Sequence, residues 1–386
     1  MSSIVPRYPG FIPEDFTPRL FEAETADGIT LRGKRYANPG AVPLILIAGI
    51  CSNGFQYDLA FEECNFALYF ARRGYDVWVS NLRGTGRKPY KSDGGDFSHC
   101  VQDKGIYDVA ALVEQVTRET GRKPVLVGHS MGSVVSLVYL MGVTYREENG
   151  WKRIVPDPDL AAEHNQNVAA HISMGGPPCF RWPRDCWHYW AIGNPLTRLW
   201  LRGSRVVLGR LAARKKQVPV EDATVGLIRL MPHLGPMLVR IPFSFFANMR
   251  NLNRETFLET ALSGMSDVSM NEAYQFVDAA LTGDFLESKA ILGDFPGEPH
   301  NYTRSIHLVS APILFVTGEK DAVNPKTVHD YGFKRVSSEV KEYFCCDGYG
   351  HIDLLLGLEA RKDVFPRIAA WLDHTLTSIQ RPNALA

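Results

Sequence analysis

Five consecutive residues, Gly128-His129-Ser130-Met131-Gly132, have the types and spacing for nucleophilic chemistry. An apolar stretch at 124–127 precedes them and a helical pattern at 131–140 follows. A serine between two glycines in a strand-to-helix turn is a nucleophile elbow. Side chains at Gly128 and Gly132 would crowd so tight a turn, and the serine Oγ is left projecting from it. The helix start aims N–H groups at any anion that develops there. A hydroxyl is a weak nucleophile near neutral pH and needs a base. Of eleven histidines, His351 stands out, in the glycine-flanked Gly348-Tyr349-Gly350-His351 after the last expected strand. His129, inside the elbow, is expected to turn away into packing. The base in turn needs a carboxylate to orient it and stabilise the imidazolium. Asp321, in Gly318-Glu319-Lys320-Asp321 after the strand ILFVTG, is the first choice. Glu319 is the second, and Asp353 reads as a local cap. Two backbone donors are expected to hold the oxyanion: Met131 N–H, next to the nucleophile, and Ile50 N–H from Gly49-Ile50-Cys51. Cys51 reads as a packed cysteine beside the site, with thiol reactivity as the alternative.

Elements must bring these residues together. Residues 1–18, with four prolines, read as an extended arm. Residues 19–36 read as a hairpin turning at Ala26-Asp27-Gly28. Strands are expected at 44–47, 76–80, 124–127, 168–174, 313–317 and 339–345. Helices are expected at 58–73, 105–120, 131–140, near 326–334, and along the apolar stripe Val364, Phe365, Ile368, Trp371 and Leu372. This alternation predicts an α/β fold with a mostly parallel central sheet flanked by helices. The rhythm breaks over 179–300, which is rich in Trp and Phe and helical in pattern. The expected organisation is therefore a core of 19–178 and 301–386 with a helical cap at 179–300. Trp187, Trp190 and Phe246 in the cap, with Cys51, are the candidate walls of a substrate pocket.

Bulk properties exclude other chemistries. The 386 residues are 45% hydrophobic and 22% charged, ordinary for a globular chain. Lys+Arg and Asp+Glu both number 42, so there is no global basic field for nucleic acid. The basic run RLAARKK at 210–216 reads as a solvated helix face. Seven cysteines without a CxxC pair suggest neither a disulfide framework nor a zinc site. Gly84-Thr85-Gly86-Arg87 is not a dinucleotide fingerprint. Neither cofactor nor metal is expected. No apolar run reaches the ~18 residues of a membrane span, and no secretory leader is evident, so the expected compartment is cytoplasmic. The expected partner is a small hydrophobic ester, with transient contact to a lipid surface left open and the oligomeric state unread.

Four segments then carry a resemblance: AGICSNG at 48–54, GYDVWVSNLRGTGR at 74–87, the elbow GHSMG, and GHIDLLLG at 350–357. The chain resembles α/β-hydrolases, and among them the acid-lipase group and its bacterial esterase relatives. The order Ser130, Asp321, His351 matches theirs. Poly(hydroxyalkanoate) synthases share the tail pattern but carry cysteine at the elbow. The resemblance implies carboxylic ester hydrolysis through an acyl-serine. Acyl transfer or thioester cleavage on the same three residues, and a hydrolase-like ligand-binding protein without turnover, are the alternatives. One departure is visible. The family commonly has His-Gly where this chain has Ala48-Gly49, which bears on how the oxyanion loop is hydrogen-bonded.

Overall fold

The computed structural model describes residues 15–181, 194–212, 216–322 and 325–380. Most of the expected arm lies outside them. Among the described residues twelve strands occur, in chain order β1 Arg19–Glu24, β2 Thr30–Tyr36, β3 Pro43–Ile47, β4 Asp76–Ser80, β5 Val125–His129, β6 Val143–Glu148, β7 Trp151–Pro156, β8 Ala170–Met174, β9 Gln217–Val218, β10 Val268–Ser269, β11 Ile313–Gly318 and β12 Lys341–Cys346. Eight of them form one sheet in the order β1-β2-β4-β3-β5-β8-β11-β12. The β1–β2 and β2–β4 pairs are antiparallel, and every pair from β4 to β12 is parallel.

Every residue of β3, β4, β5 and β8 is buried. Strands covered on both faces favour near-continuous apolar runs, and polar side chains within these, such as Asp76, Ser80, His171 and Ser173, have hydrogen-bond partners. Side chains alternate between two cores. Ile45, Ile47, Trp78 and Leu126 meet the helices Ala110–Thr120 and Met131–Leu140 on one face. Leu44, Leu46, Val77, Val79 and Val127 meet Phe66–Arg72 and Phe365–Gln380 on the other.

Three helix expectations need correction. The helix expected over 58–73 covers only Phe66–Arg72, after two short 3-10 turns. Buried polar bonding overrides the pattern. Asp58 pairs with Lys34 and accepts from Tyr36 Oη at 2.8 Å and Asn65 Nδ2 at 2.9 Å. Asn65 then caps the helix by accepting from Leu68 N–H at 2.7 Å. The helix expected over 105–120 begins at Val101 and runs through a π turn at Lys104–Val109. The one expected near 326–334 is Pro325–Val328 followed by a π turn at His329–Phe333.

Two features lie where the sequence reading places nothing: the β6–β7 hairpin and the helix Pro158–Gln166. The hairpin is held from a distance. Buried Glu287 accepts from Ile154 N–H at 2.6 Å and pairs with Arg153 at 2.9 Å. Between β8 and β11 the chain forms a helical insertion, including Pro195–Ala212, Val220–Leu230, Gly235–Phe246, Arg254–Ser263 and Met270–Thr282. Among the described residues of this segment, which reads as helical in pattern, the two-residue strand pair β9–β10 also forms.

One buried hydroxyl joins the two central strands. Tyr57, fully buried, donates to Ile47 C=O at the end of β3 (3.1 Å) and lies 3.2 Å from Val127 C=O in β5. Tyr57→Phe leaves these carbonyls without that donor. It should lower unfolding free energy by about 1–2 kcal/mol with an unchanged m-value, read in urea titrations.

Candidate active site

Six parallel strands, β4, β3, β5, β8, β11 and β12, run the same way, so their C-terminal ends meet at one edge. The loop after β3 carries Gly49-Ile50-Cys51, β5 ends at Ser130, β8 leads to Gly175, β11 to Asp321 and β12 to His351. Ser130 has φ 54° and ψ −121°, a strained conformation for a residue with a side chain. Its own N–H is anchored on Met174 C=O of β8 at 2.8 Å. The elbow glycines are sterically required: a Cβ on Gly132 would lie 2.1 Å from Ile47 C=O, and one on Gly128 2.4 Å from Ser133 N.

His351 Nδ1 lies 2.9 Å from Asp321 Oδ2, and both side chains are buried. Glu319 is exposed and accepts instead from Gly348 N–H at 2.9 Å. The geometry thus separates the two acidic candidates, pairing Asp321 with the histidine. Ser130 and His351 line the same cavity. No hydrogen bond joins them among the described residues, and such bonds commonly tighten only with substrate in place. Gly175 sits against the pair. A Cβ there would lie 2.8 Å from His351 Nδ1 and 3.2 Å from Asp321 Oδ2, and its φ of +57° also favours glycine. Its signal in the sequence is Gly175-Gly176 directly after a buried strand.

Gln56 carries no such signal, and it answers the Ala48-Gly49 departure. Its Oε1 accepts from Gly49 N–H at 3.4 Å and its Nε2 donates to His129 Nδ1 at 3.1 Å. His129 Nε2 lies 3.0 Å from His351 C=O. An amide nitrogen only donates and a carbonyl only accepts, so His129 carries its proton on Nε2. Three loops are therefore tied in series through one buried ring. Burial, followed by the nearby His351 charge, lowers His129 to about 3 against the backbone hydrogen bond that raises it. The ring stays neutral at neutral pH. His129 does turn away from Ser130, as expected, but into a hydrogen-bonded position and not into plain packing.

Gly49 approaches Ser130 closely, since a Cβ there would lie 3.1 Å from Ser130 Cβ. That brings Ile50 beside the elbow, and Ile50 lines the cavity. Its N–H has no protein acceptor among the described residues. Met131 opens its helix, where the first N–H groups lack intrahelical partners. Cys51 also lines the cavity, with its thiol pushed up to about 12, mainly by burial. A thiol so protonated is a poor nucleophile, which fits the packed reading.

The cavity holds about 670 Å³. Phe180, Leu227, Val239, Phe243 and Phe276 are among its walls, and no Asp, Glu, Lys or Arg lines it among the described residues. Phe246 lies on the wall and also receives His351 N–H and Ile352 N–H on its carbonyl, at 2.8 and 2.9 Å. Asp353 accepts from Gly350 N–H and Asn248 N–H, both at 3.0 Å, and from Asn251 Nδ2 at 2.6 Å. Asp353 is thus a local cap that also joins the histidine loop to the helical insertion. Trp187 and Trp190 lie outside the described residues. No group of three His, Cys, Asp or Glu placed to hold a metal ion occurs among the described residues.

Similarities to known proteins follow this geometry. The alpha/beta hydrolase GrgF of Penicillium sp. sh18 superposes with a TM-score of 0.55 over 94% of this chain and 99% of that one, at 17% identity. The monoacylglycerol lipase of Paleococcus ferrophilus gives 0.52 over 92% and 99%, at 14% identity. The chain has the α/β-hydrolase fold. Residues 55–156 match the family described as serine aminopeptidase, S33. Among curated proteins, triacylglycerol lipase 1 of Arabidopsis thaliana is 29% identical over 139 residues, 33% of this chain and 35% of that lipase. The match thus spans about a third of the relative's length.

The neutral His129 gives the protein a pH signature. Between about 3 and its ordinary value near 6.5, the unfolded chain holds a proton on this ring that the folded protein does not. Stability therefore falls as pH falls through that window, by about 1.4 kcal/mol per pH unit for this group. His171, lowered to about 4 by burial, acts in the same direction. Urea titrations between about pH 4 and 6 should show a steep slope for the native chain. His129→Gln should be shallower by about that amount.

Proposed function

We propose that the protein hydrolyses carboxylic esters with a hydrophobic acyl group through an acyl-serine intermediate. The observation that carries this reading is an apolar cavity of about 670 Å³, without Asp, Glu, Lys or Arg among its described lining residues, lined by both Ser130 and His351. In this reading His351 takes the Ser130 proton as Oγ attacks the ester carbonyl. Ile50 N–H and Met131 N–H receive the oxyanion, and Asp321 keeps Nδ1–H of His351 in place and stabilises the imidazolium. His351 then returns the proton to the leaving alkoxide and activates water for deacylation. The helices between 195 and 282 act as the cap that forms the acyl pocket. The similarity to triacylglycerol lipase 1 supports the same substrate class.

The matched family's description names an aminopeptidase. A free amino terminus would need a carboxylate to receive its charge. No carboxylate lines the cavity among the described residues, which favours the ester reading.

A fluorophosphonate probe should label the protein at Ser130, and Ser130→Ala should abolish labelling. The same substitution should reduce p-nitrophenyl ester kcat by about 10⁴-fold or more, with an unchanged circular dichroism spectrum. Asp321→Asn should impair kcat far more than Glu319→Gln, and the reverse ranking would transfer the acid role to Glu319.

Chain length provides a separate readout. A methylene buried in an apolar pocket contributes about 0.8 kcal/mol, or roughly fourfold in kcat/KM. Esters lengthened from acetate should gain severalfold per carbon until the cavity fills. A profile that falls steadily from acetate onward would sink the hydrophobic-substrate reading.

A further inference from the structure

The helical insertion turns apolar side chains outward as well as into the cavity. Over Val220–Leu230 and Gly235–Phe246, Leu230 is 84% exposed, Met237 64% and Ile241 58%, while Ile228 and Val239 are buried. On Pro195–Ala212, Leu196, Leu199, Trp200, Val206 and Val207 recur at helical spacing and are all exposed, with Leu201 buried. An amphipathic helix of a globular protein normally turns its apolar stripe inward. Single exposed leucines need no explanation, but a set of this size does.

The charge distribution is equally uneven. The chain as a whole is balanced, yet residues 194–246 contain nine Lys/Arg and only two Asp/Glu. One of those two, Glu221, is already paired with Arg87 outside the segment. Arg198, Arg202, Arg210, Arg229 and Arg240 are exposed and make no ion pair among the described residues. Exposed apolar side chains interspersed with unpaired arginines are the composition of a helix that lies in a membrane interface.

We propose that this face of the insertion docks on an anionic lipid surface. The arginines meet headgroup phosphates, and the leucine, methionine, isoleucine and tryptophan side chains enter the acyl boundary. Two observations favour a lipid surface over a protein. Leu238 and Phe246 belong both to the exposed set and to the cavity wall, so a protein seated there would cover the approach to Ser130. A second copy across a two-fold axis would set arginines against arginines. Among the described residues no helix is long and apolar enough to cross a membrane. Delivery of ester from that surface into the cavity rests on the hydrolytic function proposed above, whereas docking itself does not.

The test uses the full chain carrying Ser130→Ala, so that turnover cannot alter the vesicles. Co-sedimentation should show binding to phosphatidylglycerol-containing vesicles, at least tenfold weaker binding to pure phosphatidylcholine, and weakening with added salt. Arg229→Gln with Arg240→Gln should weaken anionic binding about tenfold or more, at about fivefold per arginine. Leu230→Ser, Met237→Ser and Ile241→Ser together should abolish it. None of these five side chains lines the cavity, and circular dichroism and a thermal melt report whether each variant is folded. Equal binding to both vesicle types, salt-independent binding, or undiminished binding by the arginine variant would overturn the proposal. So would a dimer by analytical ultracentrifugation that dissociates in the triple serine variant, with no vesicle binding by the parent. The native chain assayed on a soluble short-chain ester keeps the two ideas apart. Docking without any ester turnover would leave this proposal standing and the hydrolytic one defeated, and turnover without docking would do the converse.

Discussion

Parallel strands can only be joined by crossovers, and their shared direction delivers every C-terminal loop to one edge of the sheet. Here β3, β5, β8, β11 and β12 lie side by side, and each ends within reach of the same small volume. No single segment holds more than a fragment of the site. Ser130 projects because β5 turns sharply into a helix, and that turn exists only because Gly132 lets the helix pass against Ile47 C=O. The strained conformation of Ser130 persists because neighbouring strands over-determine it. Its N–H is bonded to Met174 C=O, and Tyr57 joins the ends of β3 and β5 from below.

The histidine loop is held from two sides. From the core side, Gln56 and the neutral ring of His129 connect Gly49 to His351 C=O. From the other side, Phe246 C=O receives His351 N–H, and Asp353 bonds to Asn248 and Asn251. His351 is therefore bonded to the same helical segment that walls the cavity and exposes apolar side chains. Displacement of that segment would be felt at His351 through hydrogen bonds one residue away. The electrostatics follow the same division. Ion pairs such as Lys34–Asp58 and Arg153–Glu287 are buried away from the cavity, whose walls carry no Asp, Glu, Lys or Arg among the described residues.

Local rules decided much of this molecule. Fully buried strands need apolar runs, so β3, β4, β5, β8 and β11 are legible without partners. Tight turns need glycine, so the elbow and the Gly348–His351 loop are marked in the sequence itself. A carboxylate after one strand and a histidine after the next then suffice to name Asp321 and His351. Position along the chain favours Asp321 over Glu319, and in the fold Asp321 lies 2.9 Å from His351 Nδ1 while Glu319 accepts from Gly348 N–H.

Long-range contacts decided the rest. The expected 58–73 helix shrank because Asp58 bonds to Lys34 and Tyr36 from a distant strand, and no local propensity reports that. The β6–β7 hairpin depends on Glu287, more than a hundred residues away in the chain. Gln56 has no motif around it, and its role arises only where the β3 loop meets the elbow. Gly175 is required to be small by His351 and Asp321, which lie at the ends of other strands. Sequence determines what a residue can do locally, through backbone sterics and the pattern of burial. Which distant group it meets is set by how the sheet is ordered, and that order is a property of the folded chain alone.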